Sequence, residues 1–521
     1  MPTLIRSGAR RLDAATLTDR ALRGAAALES IGLTAGDVVA LFLRNDLSFF
    51  EATGAAARIG AYVAPLNWHA TEAEARYLFA NCGAKAIVIH ADLLPGVRAA
   101  VPEGVKLLVV ETAPEIAAAY AVPAGACAVP ADETSWNDWI AGFEPGEERA
   151  AASLSAIIYT GGTTGHPKGV RRAPPSPEQA AAASGMLGMG FGMAAQLAAL
   201  AEGREPPRIA TVMTGPMYHS APNAYGNASA AIGAEIVLQP RFDPEELLAL
   251  IESERVTHLH MVPTMFVRLL KLPNDVRSRY DLSSLQFVVH AAAPCPPHIK
   301  RAMIEWWGPV INEYYGSTET GAVVFCSSED WLAHPGTVGK AMPNSIVRVL
   351  REDGSDADIG EAGDVFCRTT TLADFTYHGD DEKRRKAEHQ GLIGVGDIGY
   401  LDEDGFLFLC DRRNHMVISG GVNIYPAEIE NELLKLPGVA DCAVFGIPDD
   451  EFGESLCAWI QPNPGTILDP AAIRADLFAS LARYKVPKVI EFSPELPRED
   501  SGKIFKRKLR EPYWQAAGRS I

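Results

Sequence analysis

The sequence predicts an α/β fold: a large N-terminal domain of layered α/β sheets, a barrel-like β subdomain, and a small α+β C-terminal domain. Three observations predict it. Apolar runs alternate with segments of helical apolar spacing as far as Tyr314, the pattern of parallel strands covered on both faces by helices. Between residues 346 and 409 the pattern changes to short alternating segments separated by turns such as Glu352-Asp-Gly354 and Asp402-Glu-Asp-Gly405, which suits antiparallel strands. After Arg412 a short new set of helices and strands begins. A length of 521 residues, 47% hydrophobic, supports a large core and several folding units.

Taken in order, residues 16–31 have helical spacing and end at Gly32, and residues 38–43 form a continuous apolar run read as a buried strand. Helices follow at 45–60 and 71–81, with strands at 86–90 and 106–110. The alternation resumes with strands at 209–213, 235–239, 258–262, 286–290 and 310–314. One helix start is strongly marked: Asp243 can cap it, Pro244 suits the first helical position, and Glu246 follows. In the last unit the spacing predicts helices at 427–436 and 471–484 and strands at 440–446 and 489–492. The chain therefore divides into 1–413 and 414–521.

A net charge of −18 argues against a nucleic-acid partner or an anionic membrane surface, both of which call for a basic face. The eight cysteines contain no Cys-x-x-Cys pair, so they read as reduced core residues rather than a zinc site or disulfide framework. The first residues, Met-Pro-Thr-Leu-Ile-Arg-Ser, lack the charged-then-apolar plan of a signal peptide, which points to the cytoplasm. Residues 180–201 carry no charge and are long enough to cross a bilayer. Their Ala, Gly and Met content, with Gln196 inside, makes a transmembrane span a poor reading; they are expected to be one helix serving as buried cover. Within them, Gly190-Phe-Gly192-Met-Ala-Ala195 matches a dinucleotide fingerprint, but no strand precedes it, so it is taken as a chance match.

Chemistry concentrates in residues 159–170, Tyr-Thr-Gly-Gly-Thr-Thr-Gly-His-Pro-Lys-Gly-Val. An apolar run that stops at Thr160, Gly161, Gly162, Thr163, Thr164 and Gly165 reads as a strand leading into a loop whose N–H groups and hydroxyls can surround a polyphosphate, with Lys168 adding charge. It is not a Walker A loop, because the lysine precedes Gly169 rather than a Ser or Thr. Alone, a flexible surface turn is an equal reading. A second motif, Asn312-Glu-Tyr-Tyr-Gly-Ser-Thr-Glu319, follows an apolar strand. Its glycine admits a planar ring near the backbone, its tyrosines can stack, Thr318 can meet phosphate and Glu319 can hold Mg²⁺.

Six motifs then occur in order: residues 159–169; Pro216-Met-Tyr-His219; Tyr315-Gly-Ser-Thr-Glu319; Gly396-Asp397 with Gly399-Tyr400; Asp411-Arg412 through Gly420-Gly-Val-Asn-Ile-Tyr-Pro426; and Ser501-Gly502-Lys503. Together they resemble an acyl-CoA synthetase of the adenylate-forming superfamily, most closely its fatty-acid and bile-acid type CoA ligases. The resemblance covers nearly the whole chain. It implies an ATP-dependent ligase that converts a carboxylic acid to an acyl-adenylate and then to a CoA thioester, with Mg²⁺ as cofactor. It places ATP phosphates at the glycine-threonine loop and Thr318, Mg²⁺ at Glu319, adenine at Ala292, Ala293, Pro294, Glu313, Tyr314, Tyr315 and Gly316, and ribose at Asp397 and Arg412, with Ser317 also among the residues that bind the cofactor. His219 resembles an aromatic gate beside the carboxylate, with a core histidine as the plain reading. Lys503 corresponds to the catalytic lysine, on a mobile C-terminal domain turning about Asn414, and Gly420 and Gly421 to a strand near the pantetheine arm of CoA.

The sequence departs from the family pattern at Gly161, where many relatives have serine, and at Asn414, where they carry Asp or Lys. The basic run Lys506, Arg507, Lys508 and Arg510 reads as a solvated face. By the same resemblance Ser220, Ala221, Tyr225, Val289 and Ala291 line the acid pocket, which favours an apolar fatty, aromatic or sterol-like acid because none is basic. Two other readings stand beside a CoA ligase: a ligase loading a carrier protein in trans, and a non-catalytic nucleotide-binding relative. A homodimer is left open.

Overall fold

The computed structural model describes residues 4–147, 154–160, 167–378, 380–413, 415–419, 422–498 and 504–517. It divides into two compact units, the first made of Met1–Ala333, Ala341–Ile346 and Arg368–Ile393, the second of His334–Lys340, Val347–Cys367 and Gly394–Ile521.

The first unit contains two largely parallel sheets. One has the order Tyr62–Pro65, Val38–Phe42, Ala84–His90, Lys106–Val110, and all its pairs are parallel. The central strand Val38–Phe42 is buried along its length, as its unbroken apolar run requires. The strand Tyr62–Pro65 escapes sequence reading because it is four residues long and starts directly after the turn that ends the helix Leu47–Arg58. The larger sheet passes in order through Gly321–Cys326, Ile311–Ser317, Phe287–His290, His258–Met261, Ala210–Met213, Glu235–Leu238, Leu4–Ser7 and Arg10–Asp13. Its centre is parallel, while Gly321–Cys326 and Arg10–Asp13 join as antiparallel strands.

Two helices meet through small residues: a Cβ on Gly24 would lie 2.9 Å from the Ala55 Cβ, so Ala14–Ser30 and Leu47–Arg58 approach closely. Asp243 caps Pro244–Ser253 as its sequence demands, accepting the Glu246 N–H at 2.8 Å. The uncharged stretch 180–201 does not form the single buried helix expected of it. Two helices, Pro177–Gly190 and Ala194–Ala201, are separated by a turn in which Gly192 has φ +72°. Only Gly188 and Gly190 of the first are buried, because the stretch has small residues all round and no sustained apolar stripe. The dinucleotide-like match falls on this turn and follows a helix, not a strand, and among the described residues no helix is long and apolar enough to cross a membrane.

A third, antiparallel sheet of the first unit joins Ile158–Thr160, Lys168–Arg172 and Phe375–Tyr377.

In the second unit, residues 397–401 and Leu407–Arg412 pair as an antiparallel hairpin whose turn is held by Asp402, which accepts the N–H groups of Asp404 and Phe406 at 3.0 and 2.8 Å. Gly363–Thr369 and Ser345–Leu350 extend that sheet. A second sheet has the order Val422–Ile424, Val417–Ser419, Gly453–Pro462, Val439–Asp449, with Val489–Phe492 parallel to Gly453–Pro462. The helix expected at 471–484 stops at Ser480, where Leu481 takes an extended conformation. The basic run opens the helix Lys506–Ala516 and is only half solvated. Arg507 and Lys508 are exposed, but Lys506 Nζ lies 2.7 Å from Glu430 Oε1, with each side chain 17% exposed, and Arg510 turns toward Glu454 at 3.7 Å. Helical periodicity forces this, since positions 506, 509, 510 and 513 share the face that buries Leu509.

Candidate functional site

The glycine-threonine loop is anchored at both ends by one antiparallel pair. Ile158–Thr160 and Lys168–Arg172 are in register with Thr160 opposite Lys168 and Tyr159 opposite Gly169. Tyr159 donates to Asn81 Oδ1 at 2.6 Å, and Tyr77 donates to the Pro167 carbonyl at 3.0 Å, so both flanks of the loop are tied to the helix Glu72–Cys82. Gly169 lies under the Tyr159 ring, where a Cβ would sit 3.0 Å from Cζ. Gly161, Gly162, Thr163, Thr164 and Gly165 fall outside the described residues.

The second motif is a β-hairpin between Ile311–Ser317 and Gly321–Cys326. A side chain at Gly316 would overlap the Gly321 carbonyl, which is why the hairpin closes tightly there. The Thr320 N–H donates to Ser317 Oγ at 3.1 Å, so the Ser317 hydroxyl is built into the turn, and Thr318 and Glu319 occupy its tip. Two residues not singled out by the sequence hold this tip. Arg172 donates to the carbonyls of Thr318 at 2.9 Å, Glu319 at 2.6 Å and Ala373 at 2.8 Å. Burial lowers its guanidinium to about 10, still a cation at neutral pH. Tyr377 donates its hydroxyl to Glu319 Oε1 at 2.9 Å, and Lys168 Nζ stands 5.7 Å from the centre of the Tyr377 ring. Burial, then the nearby Glu319 carboxylate, push the Tyr377 phenol upward, so it stays a donor. Lys168, Tyr377 and Glu319 therefore form one contiguous patch. Period-two alternation puts Arg172 on the same strand face as Lys168 and could have flagged it; nothing local marks Tyr377.

The strand Phe287–His290 leads into Ala291, Ala292, Ala293 and Pro294. Ala292 is exposed in the left-handed region at φ +73°, a conformation that costs a residue with a Cβ about 1–2 kcal/mol. Glu313 turns its carboxylate inward to Lys300 Nζ at 2.6 Å, with both side chains buried and His290 at 3.5 Å. Burial raises the Glu313 carboxyl against the opposing pull of Lys300, while burial and then Lys300 keep His290 neutral. Tyr314 and Tyr315 alternate across the strand. The Tyr314 hydroxyl lies 3.3 Å from His260 Nε2, on the side of the acid-pocket candidates.

Those candidates all belong to the first unit. His219 is the residue before the helix Ser220–Ala231 and is half-buried, its ring 4.3 Å from that of Tyr218. Ser220 and Ala221 are half-buried in the first turn, and Tyr225 is buried with its hydroxyl 2.8 Å from Thr211 Oγ1. Val289 is buried opposite His260 in the sheet, and Ala291 is buried just past the strand end. His219, Ser220, Ala221 and Ala291 follow the strands Ala210–Met213 and Phe287–His290 in the chain, past their carboxyl ends, where open α/β sheets hold ligands, while Tyr225 reaches back to Thr211 within the first of these strands.

In the second unit Asp397 and Arg412 are cross-strand partners, with Arg412 Nε 3.2 Å from Asp397 Oδ1, Asp397 buried and Arg412 exposed. Asp411 beside them accepts the N–H groups of Arg412 at 2.7 Å and Ala427 at 3.0 Å, fixing the hairpin end to the helix Pro426–Leu433. Asn414, Gly420, Gly421 and Lys503 lie outside the described residues.

The profile described as AMP-binding enzyme matches residues 2–375, and that described as AMP-binding enzyme C-terminal domain matches residues 428–503. The chain is 30% identical to the long-chain-fatty-acid–CoA ligase FadD13 of Mycobacterium tuberculosis (strain ATCC 25618 / H37Rv), covering 96% of this chain and 93% of that protein. It is 31% identical to the feruloyl-CoA synthase of an Amycolatopsis species, covering 98% and 96%. Its fold matches the crystal structure of ATP-bound MatB from Rhodopseudomonas palustris with a TM-score of 0.83 and 28% identity, covering 98% of this chain and 96% of that one. With both profiles matched in order and relatives aligned along nearly its full length, the chain belongs to the AMP-binding enzyme family.

Proposed function

We propose that this protein is an ATP-dependent acid–CoA ligase that forms an acyl-adenylate and pyrophosphate, then transfers the acyl group to CoA with release of AMP. The observation that carries the reading is the patch of Lys168, Tyr377 and Glu319 where the glycine-threonine loop leaves and re-enters its strand pair. A cation beside a restrained carboxylate is what a nucleotide polyphosphate with a divalent ion needs. Glu319, together with phosphate oxygens, would hold Mg²⁺ there. Bound there, Mg²⁺ would neutralise charge on the polyphosphate. Lys168 binds the same phosphates, Tyr377 fixes the Glu319 carboxylate, and the Asp397 carboxylate accepts from ribose hydroxyls.

The carboxylate needs activation because its own leaving group would be oxide; adenylation replaces that with AMP. Lys503 is assigned to the bridge between substrate carboxylate and α-phosphate, carried on a mobile segment 414–521 that turns about Asn414 so that Gly420 and Gly421 can accompany CoA in the second step. The acid is assigned to Ser220, Ala221, Tyr225, Val289 and Ala291, none of them Lys or Arg, which supports an apolar acid, as do relatives named for a long-chain fatty acid and for ferulate. A cytosolic location accords with this chemistry. Lys503→Ala should abolish acid-dependent pyrophosphate exchange while sparing CoA transfer from supplied acyl-adenylate; equal loss of both half-reactions would defeat the assignment. AMP release that requires CoA separates this reading from loading of a carrier protein.

A further inference from the structure

The turn between Pro177–Gly190 and Ala194–Ala201 carries one buried ring, that of Phe191. Phe191 is 4% exposed and packs edge-on against Tyr225 at 5.1 Å between ring centres, His260 at 6.2 Å and Tyr314 at 6.1 Å. His260 in turn lies 5.7 Å from Tyr225 and 6.1 Å from Tyr314. Rings at these separations are in contact, so no methylene chain threads between them. Burial pushes the His260 imidazole down to about 4, so at neutral pH it adds no charge to this group.

The position of Phe191 is fixed from several sides. The Met193 N–H closes the helix end on the Gly188 carbonyl at 2.6 Å. Gly192 takes φ +72° and lies so close to Phe287 that a Cβ there would collide with the ring. His258 Nε2 stands 3.1 Å from the Gly192 carbonyl. Gly192 and the bond from His258 thus hold the turn against the strands His258–Met261 and Phe287–His290, with Phe191 directed into the ring cluster.

We propose that Phe191 is the depth stop of the acid pocket, so that the substrates are compact acids, aryl or short alkyl, and not long-chain or steroid acids. The inference rests on the acid–CoA ligase reading and on Tyr225, Val289 and Ala291 as pocket residues; Tyr225 is the member shared by the pocket and the ring cluster.

The test measures CoA-dependent AMP release for phenylacetate, hexanoate, octanoate, dodecanoate and palmitate with the wild-type protein, Phe191→Ala and Phe191→Leu. For the wild type, kcat/KM should fall by about 10- to 200-fold for each methylene past the stop, the discrimination a closed apolar pocket gives. Phe191→Ala should move the optimum to longer acids, raising kcat/KM for dodecanoate at least about 10-fold and lowering it for hexanoate. Phe191→Leu should shift it less in the same direction, and decides the matter should the alanine variant fold poorly. Binding of acyl-sulfamoyl-adenosine mimics of matching length should shift in parallel. Palmitate turned over by the wild type as well as hexanoate, or length profiles unchanged by both variants, would overturn the depth stop. AMP release with none of the acids would instead overturn the ligase reading, and the inference with it.

Discussion

Tyr377 and Glu319 are separated by 58 positions and meet through one hydrogen bond of 2.9 Å. A bond to a charged acceptor contributes about 1.5–3 kcal/mol, and here it fixes which way the carboxylate faces. Tyr377→Phe should therefore raise the KM for ATP at fixed magnesium by about tenfold or more while leaving kcat nearer the wild-type value. An unchanged KM in steady-state assays would show that Tyr377 only packs. At the same scale, the sequence singled out Lys168, Thr318 and Glu319 as candidates through their setting among glycines and threonines. Two things it could not reveal are that the Glu313 carboxylate is committed to Lys300 at 2.6 Å, and that Arg172 clasps the hairpin tip. Each depends on a partner brought in by packing.

Among elements, the strands were the most legible, since unbroken apolar runs such as Val38–Phe42 and Lys106–Val110 admit little else. Helices with a low apolar contrast were misjudged. The stretch 180–201 has apolar character without periodicity, so neither its break at Phe191 nor its exposure could be read from it. The helix Lys506–Ala516 was hidden by its charges, yet its inward face buries Leu509 and pairs Lys506 with Glu430. That pairing makes Lys506 a structural cation of the second unit rather than a surface one. Lys506→Ala leaves Glu430 and the adjacent Val444 N–H contact in a largely buried site, and should destabilise the protein by about 2–3 kcal/mol after allowance for its remaining exposure. Chemical denaturation checks this, and a loss below about 0.5 kcal/mol would return Lys506 to the solvated face.

For the whole molecule, buried histidines set a direction of pH dependence. His260 titrates near 4 in the fold and near 6.5 when unfolded, because burial disfavours its cation; burial lowers His258 and His290 as well. The unfolded chain thus binds protons that the fold refuses, so stability is full above pH 6.5 and falls as the pH drops from 6.5 toward 4. His260 alone accounts for about 3 kcal/mol of that loss. His260→Gln should flatten the dependence between pH 6.5 and 5, as read from urea midpoints; an identical slope would show that His260 remains neutral in both states or charged in both.

By itself the sequence determined the layered α/β class and the position of most strands along the chain, because these follow from periodicity and turn chemistry within a few residues. The tertiary structure alone decided that Tyr377 restrains Glu319, that Arg172 holds the hairpin, that Lys506 faces inward and that Phe191 meets Tyr225, His260 and Tyr314. The difference is physical: backbone propensities act along the chain, whereas side chains far apart in sequence acquire partners only when sheets and helices close on one another.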